Sequence, residues 1–276
     1  MLALAKRFLQ WRPLVQIRHR QSGSVLAEVP GNSLAGANLA GRVLLYADLA
    51  GADLRGADLR GTQFSNGDLH GANLDGAYLV NADCCSCDLS GASLVGADLS
   101  HARILAANLS GADLTRATLS RAWGTWCNFT SARLRDARLD HADLSRSRLP
   151  EADATGADFS EASFAYANAV KAKLRGAMLA ECGFVGSDLS GADLGESDLA
   201  RATFLDAALK GTRFDGAMLN HSVFAFCASL GEAVGLDAVR VQGPIGLDQY
   251  TLGACEGRLP VAWVEAANTA PAHSPR

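Results

Sequence analysis

A chain of 276 residues has room for one substantial domain or two small ones. Its apolar share of 49% sets it apart from disordered chains, yet aromatics make up only 7% and Ala, Gly and Leu dominate, so repetition is expected in place of an ordinary mixed core. A net charge of −4 excludes a broadly basic nucleic-acid binder and is too mild to define an acidic one.

Residues 1–30 are basic and carry no acid before Glu28. They lack the long apolar stretch of a secretory signal, while their composition is compatible with an organellar transit peptide. Leu4, Phe8, Leu9, Trp11, Leu14, Val15 and Ile17 are spaced as in an amphipathic helix interrupted by Pro13. That helix is expected to cap the next segment, the alternative being a membrane-surface helix. No apolar run approaches the ~18 residues of a membrane span.

From residue 31 a five-residue period takes over. Stepping by five from Leu34 to Phe224 gives 39 positions without insertion or deletion, of which 26 are Leu and 8 are Phe. Two residues before each, 27 of 39 positions are Ala. Asp or Asn often stands between them, as in ADLRGADLRG at residues 52–61. A period of five fits neither the helix nor the strand, so the chain must turn once per repeat, with the large residue inward and the small one beside it.

With this A(D/N)LxG pattern, residues 31–230 resemble the pentapeptide-repeat family. The resemblance implies an all-β fold: a right-handed quadrilateral β-helix with four repeats per coil. Twenty residues then make a coil, and about ten coils stacked at the ~4.8 Å strand spacing make a rod roughly 45–50 Å long.

A 20-residue coil sorts the residues into columns. The third inward column runs Leu44, Phe64, Cys84, Ile104, Gly124, Leu144, Phe164, Phe184, Phe204, Phe224, ending in four successive phenylalanines. Volume balances within coils: Ala154 and Ala169 accompany Phe159 and Phe164, and Gly124 accompanies Phe129. Outside, Asp113, Arg133, Asp153, Lys173, Asp193 and Arg213 form a ladder of alternating sign. Asp48, Asp68 and Asp88 stack as like charges, which asks for a cation, a basic partner or simple solvation.

The third face is also unusual outside, where Leu45, Tyr46, Leu105, Trp123, Trp126, Tyr166, Val185, Leu205 and Phe226 stand where the other faces are mostly polar. Such a patch marks an interaction surface, with Trp and Tyr as anchors. Tyr46, Leu105, Trp123, Trp126, Tyr166, Leu205 and Phe226 are therefore the candidate partner-binding residues, unless terminal segments fold over them. The segment Ala122–Phe129 is the sharpest deviation, and Gly124 within it suggests a kink, a bulge or a docking spot.

Catalytic chemistry is not in view. Cys84–Cys85–Ser86–Cys87 suggests a metal, but Cys84 and Cys87 fall on inward sites where a small hydrophobe belongs. An odd cysteine count of seven fits a reducing compartment, hence a cytoplasmic location. His101 and His141 share a corner column two coils apart, too far for a common metal. No cofactor is implied.

Residues 231–276 are expected to cap the far end, with short strands at Val239–Val241 and Tyr250–Leu252, a helix at Leu259–Ala267 and a flexible tail from Asn268. These 46 residues are too few for an independent catalytic core.

Two functions compete. One is a non-catalytic scaffold binding a protein partner, or a second copy, through the aromatic face. The other is modulation of a type II topoisomerase by DNA mimicry, as the resemblance to resistance proteins of the family allows. Residues 31–230 carry 23 acids and 17 bases, a net of −6, far below the charge density of DNA at one per ~1.7 Å.

Overall fold

The computed structural model describes residues 13–269. Residues 38–218 pair in parallel with partners 20 residues on, from Asn38↔Asp58 through Asp198↔Met218, so each coil takes four repeats and the chain forms a quadrilateral β-helix. One repeat shows the bonding. Leu39 N–H donates to Asp58 C=O at 2.8 Å, Gly41 N–H to Arg60 C=O at 2.8 Å, and Asp58 N–H to Ala37 C=O at 2.9 Å. Within each turn the small residue donates to the preceding large one, as Ala52 N–H does to Leu49 C=O at 3.0 Å. Backbone groups are thus satisfied between coils, as burial requires.

The inward columns are buried throughout. Phe164, Phe184, Phe204 and Phe224 stack ring on ring, with centroids 5.1, 4.9 and 4.6 Å apart. Corners lie in the left-handed region, which glycine enters most cheaply: Gly51 has φ +63°. Side chains occupy the same conformation where a coil needs them, as at Trp126 with φ +65°.

The N-terminal cap differs from the sequence expectation. Strand β1 (Leu14–His19) and strand β2 (Val25–Pro30) form an antiparallel hairpin, so the predicted amphipathic helix does not extend over Leu14, Val15 and Ile17. Exposure alternates along β1, with Ile17 buried, which is the period of a strand, and β-branched residues suit it. Leu4, Phe8, Leu9 and Trp11 lie outside the described residues. β1 also pairs antiparallel with β3 (Ala47–Asp48) through Arg18↔Asp48 and His19↔Ala47.

At the far end β4 (Thr203–Leu205), β5 (Val223–Ala225) and β6 (Gly246–Leu247) form a parallel sheet. Between β5 and β6 the sides lengthen: Val234 pairs with Arg213, Arg240 with Met218 and Gly246 with Val223. The expected strand at Val239–Val241 is therefore a single bridging residue. Tyr250–Leu252 lies in helix α1 (Gln249–Ala254), because Asp248 caps that turn by accepting from Thr251 N–H at 2.9 Å. The expected C-terminal helix is present as α2 (Val261–Thr269), which takes in Asn268 and Thr269 of the expected tail, while the rest of that tail lies outside the described residues. Trp263 of α2 is buried against Phe224, ring centroids 6.0 Å apart, and so ends the phenylalanine stack.

Candidate functional site

The candidate residues of the third face separate into three groups. At the N-terminal end Tyr46 stacks on His19 of β1 at 5.2 Å. At the far end the Phe226 ring lies 5.8 Å from Tyr250 of α1, and Leu205 is half-buried in β4. Between these ends Trp123, Trp126 and Tyr166 stand 65%, 58% and 60% exposed, with Leu105 at 43%, while Phe226 keeps 54% despite its neighbour Tyr250.

The middle group is held by the repeat register. Trp126, Arg146 and Tyr166 are consecutive members of one corner column, and Arg146 Cζ sits 5.1 Å from the Trp126 ring and 5.4 Å from the Tyr166 ring. A guanidinium between two aromatic faces is favourable, by ~0.5–1 kcal/mol per exposed contact. Tyr166 in turn covers Gly186, where a Cβ would come within 2.6 Å of Tyr166 Cδ1. Arg146 was not among the residues predicted from apolarity; its place in the column, 20 residues from each aromatic, is the signal that finds it.

Gly124 marks no kink or bulge. Trp123 keeps its ladder with Arg103 and Asp143, and Gly124 N–H donates to Asp143 C=O at 2.8 Å. A Cβ at Gly124 would meet Leu144 Cδ2 at 3.2 Å and Asp143 O at 3.3 Å, so the position is small because its neighbours fill it.

Charge is banded along the rod. Residues 101–148 carry eight arginines and four aspartates, a net of +4, whereas 31–100 and 151–230 each carry a net of −5. On the third face Arg103 pairs with Asp83 at 3.2 Å. Arg121, Arg146 and Arg148 have no carboxylate within ion-pair distance among the described residues. Asp143, below Trp123, is held below the usual carboxylate range: burial pushes it up, but hydrogen bonds from Ser145 and Thr125 more than offset this.

The alternating ladder is only partly made as expected. Arg133 pairs with Asp113 at 2.9 Å, but Asp153 pairs with Arg135 at 2.8 Å. In the acidic stack Asp48, Asp68 and Asp88 each accept from the amide two residues on, at 3.4, 3.1 and 3.0 Å, and Asp88 also accepts from Ser90 Oγ and Asn108 Nδ2. In the corner column His141 meets Glu161 at 3.2 Å and Arg201 meets Glu181 at 3.0 Å, a surface mosaic.

The cysteines are buried or half-buried. Burial pushes the Cys127 thiol up to about 12 and the Cys85 thiol up to about 11. Cys84 is raised by its hydrogen bond with Cys87 and by burial. Among the described residues no group of three metal-ligating side chains is placed to hold an ion, and no helix is long and apolar enough to cross a membrane.

The family model for Pentapeptide repeats matches in eight copies, over residues 33–71, 68–104, 127–164, 157–195 and 187–224. The stretch between 104 and 127, which holds Leu105 and both tryptophans of the patch, keeps the same coil bonding, with Ala106 N–H on Thr125 C=O at 3.0 Å. Among curated proteins no sequence gives a significant match. Of solved structures, HetL, a pentapeptide repeat protein involved in heterocyst differentiation regulation from the cyanobacterium Nostoc sp. strain PCC 7120, is 32% identical, with 75% of this chain and 91% of that chain covered and a TM-score of 0.69. QnrB1, a plasmid-mediated fluoroquinolone resistance protein, is 24% identical over 69% of this chain and 94% of that chain, with a TM-score of 0.38. A pentapeptide repeat protein of the Arabidopsis thaliana thylakoid lumen is 30% identical over 38% of this chain and 66% of that chain, with a TM-score of 0.28. With the five-residue register, the four-sided coil and the family model agreeing over more than half its length, the chain belongs to the pentapeptide-repeat family.

Proposed function

We propose that this protein is a non-catalytic scaffold that binds a protein partner through the middle of its third face. One observation carries this reading: Trp123, Trp126 and Tyr166 cluster in the middle of that face with more than half their surface in water and Arg146 between two of the rings, whereas Tyr46 and Phe226, the latter also 54% exposed, each have a ring of a terminal segment beside them. Large aromatics beside an arginine, exposed on a rigid rod, are the composition of an interface hot spot.

DNA mimicry is the weaker alternative. A mimic needs negative charge along its length, and here a band of +4 interrupts the two acidic bands. If gyrase supercoiling and quinolone-stabilised cleavage are unchanged by the purified protein, that reading falls.

The docking reading is tested in cells with a photo-crosslinking amino acid at position 126 and, as control, at Thr118 on the second face. A discrete adduct is expected from 126 alone and is lost when Trp123 and Tyr166 are also changed to Ala. No adduct at 126, or equal adducts from both positions, would overturn it.

A further inference from the structure

Resting on that docking reading, we infer that the partner presents an acidic segment carrying an apolar or aromatic residue, received where Trp126, Arg146 and Tyr166 line the corner between the third and fourth faces. The argument is charge complementarity. Arg146 is exposed and lies between two rings, and no carboxylate answers it among the described residues. Arg148 lies two residues on, across the corner, and Arg121 flanks Trp123 across the opposite corner; neither has an ion-pair partner there. Asp83 is engaged by Arg103, which leaves Asp143 as the nearby carboxylate working against the arginines. A guanidinium already stacked on aromatics still offers its N–H edges, the geometry that receives a carboxylate in the plane of the fork. Leu105 and Trp123 supply the adjoining apolar surface.

Length decides between a polypeptide and a nucleic acid. The net-positive band spans residues 101–148, little more than two coils, and both neighbouring bands are net −5. A strand with a phosphate every ~3.4 Å would soon run into those acidic bands, whereas a short acidic segment ends before reaching them.

The full-length protein is titrated calorimetrically with a random glutamate–tyrosine copolymer, with polylysine and an oligothymidylate as comparators. The copolymer is expected to bind, and to bind less tightly as salt rises. Arg146→Ala and Trp126→Ala should each weaken it about tenfold or more, as loss of a hot-spot residue does. Arg135→Ala, whose side chain is engaged by Asp153, should leave it unchanged. The double variant Arg146→Glu/Arg148→Glu should lose the copolymer and gain polylysine, a switch that unfolding would not produce. Failure of the copolymer to bind, or binding indifferent to Arg146→Ala and Trp126→Ala, overturns the inference. Oligothymidylate bound as tightly at the same residues would replace the acidic polypeptide by a single-stranded nucleic acid. Self-association abolished by Arg146→Ala would replace it by a second copy. An adduct at position 126 without copolymer binding removes only the acidic preference, whereas no adduct removes the docking reading beneath it.

Discussion

An aspartate or asparagine in the middle of a repeat does more than face water. Asp58 accepts from Arg60 N–H at 3.3 Å, and the same bond recurs at Asp68, Asp98 and Asn108. The amide two residues on turns outward at the corner, and this side chain satisfies it, a short-range turn device. The small inward position has its own device. Thr62 Oγ1, Ser147 Oγ and Cys127 Sγ donate to the carbonyls of Leu39, Gly124 and Ile104 at 2.8, 2.7 and 2.7 Å. Cys182 does the same to Phe159 at 2.8 Å. Cys127 and Cys182 thus substitute for serine or threonine, and their thiols stay protonated, because burial pushes both up. A thiol reagent at about pH 8 should therefore leave Cys127, Cys182 and Cys227 unmodified in the folded protein, while all seven cysteines react after denaturation. Mass spectrometry of labelled peptides checks this, and rapid labelling of Cys127 in native buffer would contradict it.

At the scale of a coil, volume is shared among four inward positions. Ala154, Phe159, Phe164 and Ala169 are all buried, and the two rings meet edge to face at 5.1 Å. Adding leucine at 154 places methyl groups where the phenylalanines already lie. Ala154→Leu should lower stability by roughly 1–3 kcal/mol, since overpacked interiors force neighbours off their rotamers. Urea denaturation measures it, and an unchanged or higher midpoint would show that the coil has room. This coil was legible in the sequence because a period of five, once fixed by Leu34 to Phe224, leaves one inward set. The caps were less legible because they do not repeat. Period-two alternation along Leu14–His19 competed with a helical spacing that continued from residues before Pro13. Tyr250–Leu252 looked like a strand because the Asp248 cap, which starts a helix there, lies outside those three residues. The docking patch was half legible: its aromatics stood out as apolar residues in polar columns. Arg146 was masked by sorting for apolarity, although its column, read every 20 residues, gives Trp126, Arg146 and Tyr166 in succession.

For the whole rod, the recurring aspartates couple stability to acidity. Arg60's side-chain hydrogen bond draws the Asp58 carboxyl down to about 2. Asp53 is lowered by Arg55 in the same way. At Asp88, Asp113 and Asp153 burial pushes up, but hydrogen bonds from Ser90, Thr115 and Thr155 more than offset it, and each ends below the usual value. A carboxylate whose folded value lies below its unfolded value of ~3.9 stabilises the fold above that unfolded value and loses the contribution as pH falls through the folded one. Stability measured by urea midpoint should therefore hold from neutrality down to about pH 5, then fall between about pH 4 and 2. The fall should be gradual, because the same device repeats along the rod and each exposed member contributes little. Asp58→Asn keeps an acceptor for the Arg60 amide but removes the titrating charge, so the variant should lose less stability than wild type across that window. A midpoint as high at pH 2 as at pH 7 would show that these carboxylates do not couple acidity to the fold, and a variant curve parallel to wild type would show that Asp58 takes no part in it.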